Sequence, residues 1–164
     1  MDTGADVNSV DANGVEVMSR AEAIGLLEAQ EVGRLVYTRR VLPAVIPVNF
    51  VVRGGAVLIR TGSKSSLAQA VRGAVVAFQV DEVDRVGRSG RSVIVTGVAQ
   101  LVTDHAQLAQ ARADGPVPWA AGAKDYFIRI PLTVVTGRWV AADGRTPTAG
   151  QAASRPTGEG ASSA

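Results

Sequence analysis

Residues 45–61, Val-Ile-Pro-Val-Asn-Phe-Val-Val-Arg-Gly-Gly-Ala-Val-Leu-Ile-Arg-Thr, contain two apolar runs separated by a glycine pair. Runs rich in branched side chains favour β-strands, because such side chains pack well on a pleated surface. The Gly54-Gly55 pair predicts a tight hairpin turn between a strand at residues 45–52 and a strand at residues 56–61. This connection is too short to hold a crossover helix, so the two strands must be antiparallel.

The same pattern of short apolar runs and turn residues continues along the chain. We predict helices at residues 19–30, 66–72 and 104–113, and further strands at residues 33–38, 74–81, 91–102, 126–130 and 137–140. Ser19 and Glu22 match a capping box at the start of the first helix, and Asp104 is the predicted cap of the third. Because the strands are short and mostly joined by hairpins, they predict a mainly β fold with few helices, a small antiparallel barrel.

The length and composition limit the possible functions. A chain of 164 residues that is 46% hydrophobic predicts one domain with a real core. The chain has no cysteine and one histidine, which excludes disulfides, thiolate catalysis and cysteine or histidine metal clusters. The net charge is only +2 and the basic residues are scattered, so a nucleic-acid partner is not expected.

The two ends of the chain differ from its centre. Residues 1–18 and 141–164 are polar or rich in Gly, Pro, Ser and Thr, and we expect both segments to be disordered around a domain at residues 19–140. The start of the chain lacks the basic and apolar stretches of a signal peptide, and no apolar run reaches the roughly 20 residues that a bilayer needs. We therefore expect a cytoplasmic protein without a membrane partner.

Residues 60–66, Arg-Thr-Gly-Ser-Lys-Ser-Ser, join a predicted strand to a predicted helix. The first turn of a helix attracts anions, because its N–H groups are unpaired and its dipole is positive there. Arg60 and Lys64 add positive charge and the hydroxyl groups add hydrogen bonds, so a phosphate group is the simplest ligand. The alternative is that Ser63 or Ser65 caps the helix while Lys64 lies in solvent.

Residues 47–49, Pro-Val-Asn, are unusual in a strand. Proline cannot donate to a β-ladder, so Pro47 marks an edge or an interruption. Asn49 is the one polar side chain in an apolar run, and its partner is either a backbone group or a heterocycle bound on the sheet. Together the two halves of the hairpin fit a flat ring that carries a phosphate tail.

Five short motifs in order make the chain resemble a known family: residues 33–35 (Gly-Arg-Leu), 47–50 (Pro-Val-Asn-Phe), 59–64 (Ile-Arg-Thr-Gly-Ser-Lys), 77–81 (Ala-Phe-Gln-Val-Asp) and 92–99 (Ser-Val-Ile-Val-Thr-Gly-Val-Ala). Over residues 19–140 the chain resembles the pyridoxamine 5′-phosphate oxidase-like flavin-binding family, in its actinobacterial branch. This resemblance implies a split β-barrel homodimer with FMN at the interface between the subunits.

The resemblance also implies roles for individual residues. It places the flavin ring beside Pro47, Val48 and Asn49. It places the phosphate at the following loop, on Arg60, Thr61, Ser63 and Lys64. Arg91 and Ser92 would approach the flavin of the partner chain. Relatives often carry Trp at the position of Arg91, so this arginine either faces solvent or contacts an anionic substrate or a phosphate.

The function implied is that of an FMN-dependent oxidoreductase acting on a small molecule, with no acid–base residue assigned. Three alternatives stay open. The same fold could use a deazaflavin as a reductase, or it could hold a flavin or a haem-type ligand without turnover. Pyridoxamine 5′-phosphate oxidase activity itself is disfavoured, because the C-terminal substrate motif of those enzymes is not visible in residues 130–140.

Overall fold

The computed structural model describes residues 16–62, 66–117 and 126–141. Three helices lie in these ranges: α1 (Arg20–Glu28), α2 (Ser66–Ala70) and α3 (His105–Asp114). The strands are β1 (Glu16–Val17), β2 (Val32–Arg39), β3 (Leu42–Arg53), β4 (Ala56–Thr61), β5 (Val75–Asp84), β6 (Ser89–Val98), β7 (Gln100–Leu101), β8 (Tyr126–Pro131) and β9 (Val134–Ala141).

All these strands form one antiparallel sheet in the order β1-β9-β6-β5-β2-β3-β4-β8-β7. The sheet curls around its buried side into half of a barrel. The prediction of a mainly β, barrel-like fold with few helices is therefore confirmed.

Strand β3 connects the two parts of the sheet. Its first part pairs with β2, from Leu42 opposite Arg39 to Asn49 opposite Val32. Its last part pairs with β4, starting at Phe50. The predicted turn at Gly54 and Gly55 is present, and both glycines have positive φ, as a two-residue hairpin of this kind requires.

The main core fills the concave side of the sheet. Phe50 and Phe78 meet edge-to-face with 4.6 Å between their ring centroids. Helix α1 closes the core with Leu26 and Leu27, which are fully buried. A second, smaller apolar cluster lies on the opposite side of β4 and β8, where Ala111 of α3 packs with Leu58 and Phe127.

The helix starts follow their predicted caps. The Ser19 side chain accepts a hydrogen bond from the Glu22 N–H, and the Glu22 carboxylate accepts one from the Ser19 N–H, which completes the capping box. Asp104 caps α3 by accepting from the N–H of Gln107 at 2.9 Å. Helix α1 ends at Glu28, two residues before the predicted end.

Two hairpins are longer than predicted. Strand β3 begins at Leu42 rather than at residue 45, because only Arg40 and Val41 form the turn, both with positive φ. Strands β5 and β6 extend into the charged segment 82–90, which separates the strands predicted at residues 74–81 and 91–102. Their ladder continues through Glu82 opposite Arg91, where opposite charges face each other across the strands.

Other boundaries also differ from prediction. The single strand predicted at residues 91–102 is two strands. Buried Ala99 separates β6 from β7, and its N–H donates a hydrogen bond to the Ala74 carbonyl oxygen. Glu16 and Val17, inside the segment expected to be disordered, pair with β9. The other residues of the predicted disordered ends, 1–15 and 142–164, lie outside the described residues.

Candidate functional site

The sheet separates between β3 and β4. The ladder between these strands ends at Phe50 opposite Ile59. Beyond that point β3 stays paired with β2, whereas β4 stays paired with β8 as far as Thr61 opposite Tyr126. We call this separation the split. Asn49 and Arg60, the next residue on each strand, stand at its start.

The segment 47–49 forms one side of the split. Pro47 and Asn49 lie opposite Arg34 and Val32 of β2. Cross-strand partners share a face of a sheet. Leu35, the neighbour of Arg34 on β2, is buried in the core, so alternation places Arg34 and Val32 on the opposite, convex side. Pro47 and Asn49 share that side, which we call the outer face. The alternate residue Val48 points inward and packs against the core.

Strand β4 forms the other side of the split. Arg60 lies opposite Phe127 of β8, and its guanidinium carbon is 5.4 Å from the centroid of the Phe127 ring. This cation–π contact orients a half-buried positive charge at the end of the strand. Thr61 points to the opposite side and is buried. A charge held at a strand end next to a helix start is suited to bind an anion.

Two predicted phosphate contacts fall outside this description. Ser63 and Lys64 lie in the gap at residues 63–65. The described chain resumes at Ser66, the first residue of α2. A helix therefore begins five positions after Thr61, the last residue of β4. The strand-to-helix order predicted for the phosphate corner is therefore present, while the roles of Ser63 and Lys64 stay predictions.

Arg91 and Ser92 lie on opposite faces of β6. Ser92 is paired with Asp81 and Arg138 and shares the outer face with Pro47 and Asn49. The Arg91 guanidinium lies over the Trp139 ring at 5.4 Å and donates to Glu82 at 3.0 Å. Its Nε is buried and has no hydrogen-bond partner. Arg91 therefore contacts its own chain in this structure, and Trp139 packs against the core.

An ion pair that the sequence did not predict lies beside the split. Arg34 of β2 pairs with Asp81 of β5, and Arg34 is also the cross-strand neighbour of Pro47. Both residues belong to quoted motifs, but their contact spans 47 positions in sequence. Only the order of the strands brings them together, so no local signal could have indicated it.

The outer face is strongly apolar around these polar groups. Apolar side chains exposed on β2, β3, β5, β6 and β9 share it, as their cross-strand register shows: Val32, Val45, Val75, Ile94, Val98 and Val134. Soluble monomers rarely expose so many neighbouring apolar groups, and such a surface marks a site of interaction.

Two kinds of feature are absent from the described part of the chain. Over residues 16–62, 66–117 and 126–141, no cluster of His, Cys, Asp or Glu side chains is suited to hold a metal ion. Within the same ranges no helix has the length and apolar character needed to cross a membrane.

Comparison with known proteins agrees with this geometry. Residues 19–139 match the family model described as pyridoxamine 5′-phosphate oxidase. The uncharacterized protein Rv0080 of Mycobacterium tuberculosis is 40% identical over 141 residues, which cover 83% of this chain and 92% of the relative.

Solved structures show the same fold. The FAD binding protein from Mycobacterium smegmatis is 35% identical with a TM-score of 0.65, and the match covers 76% of this chain and 98% of that one. A FAD-binding protein from Mesorhizobium loti is 25% identical with a TM-score of 0.66, over 77% of this chain and 99% of that one. The split β-barrel architecture is thus shared with flavin-binding proteins, and the chain belongs to the pyridoxamine 5′-phosphate oxidase family.

Proposed function

We propose that this chain is a flavin-dependent oxidoreductase that acts on a small molecule as a homodimer. The observation that carries the proposal is the split between β3 and β4. An apolar strand segment with one amide side chain lies on one side of it, and an oriented arginine followed by a helix start lies on the other. A flat ring with a phosphate tail needs both of these surfaces.

The residues around the split suit the parts of a flavin. Pro47 and Asn49 would contact the ring, because the outer face offers apolar surface there and the Asn49 amide can hydrogen-bond to a heterocycle. Val48, whose side chain points inward, would contribute only its backbone. Arg60 and Lys64 would bind the phosphate as charged donors, together with Ser63. Thr61 ends β4 and its side chain is buried on the side opposite to Arg60, so only its backbone would face the phosphate. When bound, the flavin would supply the hydride or electron transfer, and the protein would orient it and tune its potential.

The exposed apolar side chains of the outer face support the proposed homodimer. Two copies that met through the apolar residues around Val45 and Ile94 would cover surface that is otherwise exposed to water. Since Pro47, Asn49 and Ser92 share this face, a flavin at the split would lie at the boundary between the subunits. Ser92 of one chain, together with the Arg91 segment, would then approach the flavin held by the other chain.

The form of the flavin has two candidates. FMN needs only the ring and phosphate contacts described above. FAD is the second candidate, because both solved structures compared above are described as FAD-binding proteins. A deazaflavin on the same residues would make the chain a deazaflavin-dependent reductase, and a flavin that is never reduced would make it a binding protein.

The test is to identify the molecule that the purified protein carries and to try to reduce it. We expect a yellow protein whose released cofactor has the mass of FMN or FAD, and whose flavin absorbance bleaches with NADH, NADPH or reduced deazaflavin. A colourless chain that binds a deazaflavin and no flavin would contradict the flavin proposal. A bound flavin that none of these reductants bleaches would contradict the oxidoreductase proposal.

A further inference from the structure

A second groove lies at the end of the β5–β6 hairpin, with a volume of about 470 Å³. Its walls are the facing ends of the two strands and Val140 of β9. Three arginines line it: Arg85, Arg88 and Arg91. Ser89 and Ser92 add two hydroxyl groups. The lining therefore combines guanidinium and hydroxyl donors.

The acidic residues in the groove already have partners. Glu82 accepts a hydrogen bond from Arg91, and Asp81 pairs with Arg34 of the neighbouring strand. The Asp84 carboxylate accepts from the N–H groups of Val86 and Gly87, both at 3.0 Å, and so holds the hairpin turn. Asp81 and Glu82 are thus paired with arginines, whereas Asp84 keeps its charge within the groove. Counting Arg34, four arginines face three carboxylates, so a net positive charge remains.

The arginines, in contrast, are not all paired with a carboxylate or another acceptor in the described part of the chain. Arg85 and Arg88 form no salt bridge with any residue in the described ranges. Arg88 lies at the turn with a φ of 49°, so its backbone is fixed in the left-handed region. Arg91 uses one nitrogen on Glu82, while its buried Nε–H has no acceptor. A buried donor without an acceptor is unfavourable, and a ligand oxygen that reached it would relieve that cost.

We propose that this groove binds the diphosphate of a nucleotide. Arginine is the side chain best suited to phosphate, because its planar fork can donate two hydrogen bonds to one phosphate group. Two linked phosphates match three guanidinium groups spaced along a hairpin better than a single carboxylate does. Val83 and Val140, both exposed, offer apolar surface for the base.

Two sources share this chemistry: free ADP, and the ADP half of FAD held at the proposed flavin site. Only the second source rests on the proposed function. The groove includes Ser92, which lies on the outer face together with Pro47 and Asn49. An FAD whose ring lies at the split of one subunit could therefore extend towards this groove of the other.

The experiment is a calorimetric titration of the flavin-free full-length chain with ADP, repeated with Arg88→Gln and Arg91→Gln. We expect saturable binding in the wild-type chain, weakened at least tenfold in each variant. Arg112→Gln, on the exposed surface of α3, is the matched control and should bind ADP within twofold of the wild type. Arg91 packs on Trp139, so Arg88→Gln keeps the test valid if Arg91→Gln fails to fold.

Parallel titrations with FMN and FAD separate the sources. If Arg88→Gln weakens FAD and leaves FMN unchanged, the groove binds the ADP half of the cofactor. If it weakens ADP and leaves both flavins unchanged, the groove binds a free nucleotide. Absence of saturable ADP binding, or equal ADP affinity in the groove variants and the wild type, would overturn the inference. Failure of the chain to bind any flavin would overturn the proposed function and leave the ADP result standing.

Discussion

The Arg60 guanidinium lies over the Phe127 ring, at the point where β4 reaches the split. The ring holds the guanidinium in place through a cation–π contact. Arg60 is therefore oriented before any ligand arrives, and binding a phosphate there costs less side-chain entropy than binding it with a mobile arginine.

Replacing Arg60 with Gln should weaken FMN binding by about 1.5–3 kcal/mol, roughly 10- to 150-fold in Kd, the usual worth of a hydrogen bond to a charged group. Lys64→Ala should have an effect of the same size if both cations bind the phosphate. Fluorescence titration of the flavin-free protein measures both. Arg112→Gln is the control for the loss of a distant positive charge, and unchanged FMN affinity in both site variants would refute the phosphate assignment.

Gly33 is required by packing. A Cβ at this position would lie 2.2 Å from the Phe78 ring and 2.9 Å from the Gln79 carbonyl oxygen, in the core beside the split. We expect Gly33→Ala to lower the free energy of unfolding by about 1–3 kcal/mol, as overpacked cores do. Urea denaturation followed by circular dichroism measures the change.

Gly25 is the matched control for that substitution. It lies on the exposed side of α1, and a Cβ there would meet nothing within 4 Å. Gly25→Ala should raise the free energy of unfolding by about 0.5–1 kcal/mol, because alanine has the higher helix propensity. Equal changes in the free energy of unfolding for the two substitutions would show that crowding at Gly33 does not cause the loss of stability.

The parts of the fold that local chemistry determines could be predicted from sequence. The Gly54-Gly55 turn, the capping box at Ser19 and the Asp104 cap depend on residues within a few positions of each other, and all three are present. Strand ends were harder to predict. They depend on cross-strand partners such as Glu82 and Arg91, which let charged residues extend a ladder.

The site could be predicted only as a set of residues. That Pro47 and Asn49 share an outer face, while Val48 points inward, follows from the register with β2. The support of Arg60 by Phe127 joins residues 67 positions apart. For Arg91 the sequence left open solvent or an anionic ligand. The contacts with Glu82 and Trp139 depend on three strands lying side by side, which no local pattern encodes.

The β2–β3 turn contains a residue poorly suited to its backbone. Val41 has a φ of 63° and is almost fully exposed, and a β-branched side chain is unfavourable in the left-handed region. Val41→Asn should raise the free energy of unfolding by about 0.5–1 kcal/mol, because asparagine tolerates this conformation. Val117→Asn, at an exposed valine without positive φ, should change stability by less, and equal shifts in the two melting temperatures would contradict this explanation.

The outer face gives the last prediction. Ile94 lies near its centre, between Gln79 of β5 and Thr136 of β9 in register. If two copies meet through this face, Ile94→Glu would bury a carboxylate without a partner in each subunit, which is strongly unfavourable. We expect the wild-type chain to elute as a dimer in light-scattering chromatography and Ile94→Glu to elute as a monomer.

The same variant tests whether the flavin site needs both subunits. Because Ser92 would reach the cofactor only from the partner chain, loss of the dimer should weaken FMN binding although Arg60 and Asn49 are unchanged. Val117→Glu adds the same charge at an exposed valine outside the sheet. It should leave both the dimeric mass and the affinity for FMN unchanged. A monomeric wild-type chain, or a monomeric Ile94→Glu variant that binds FMN as tightly as the wild type, would show that each subunit holds its flavin alone.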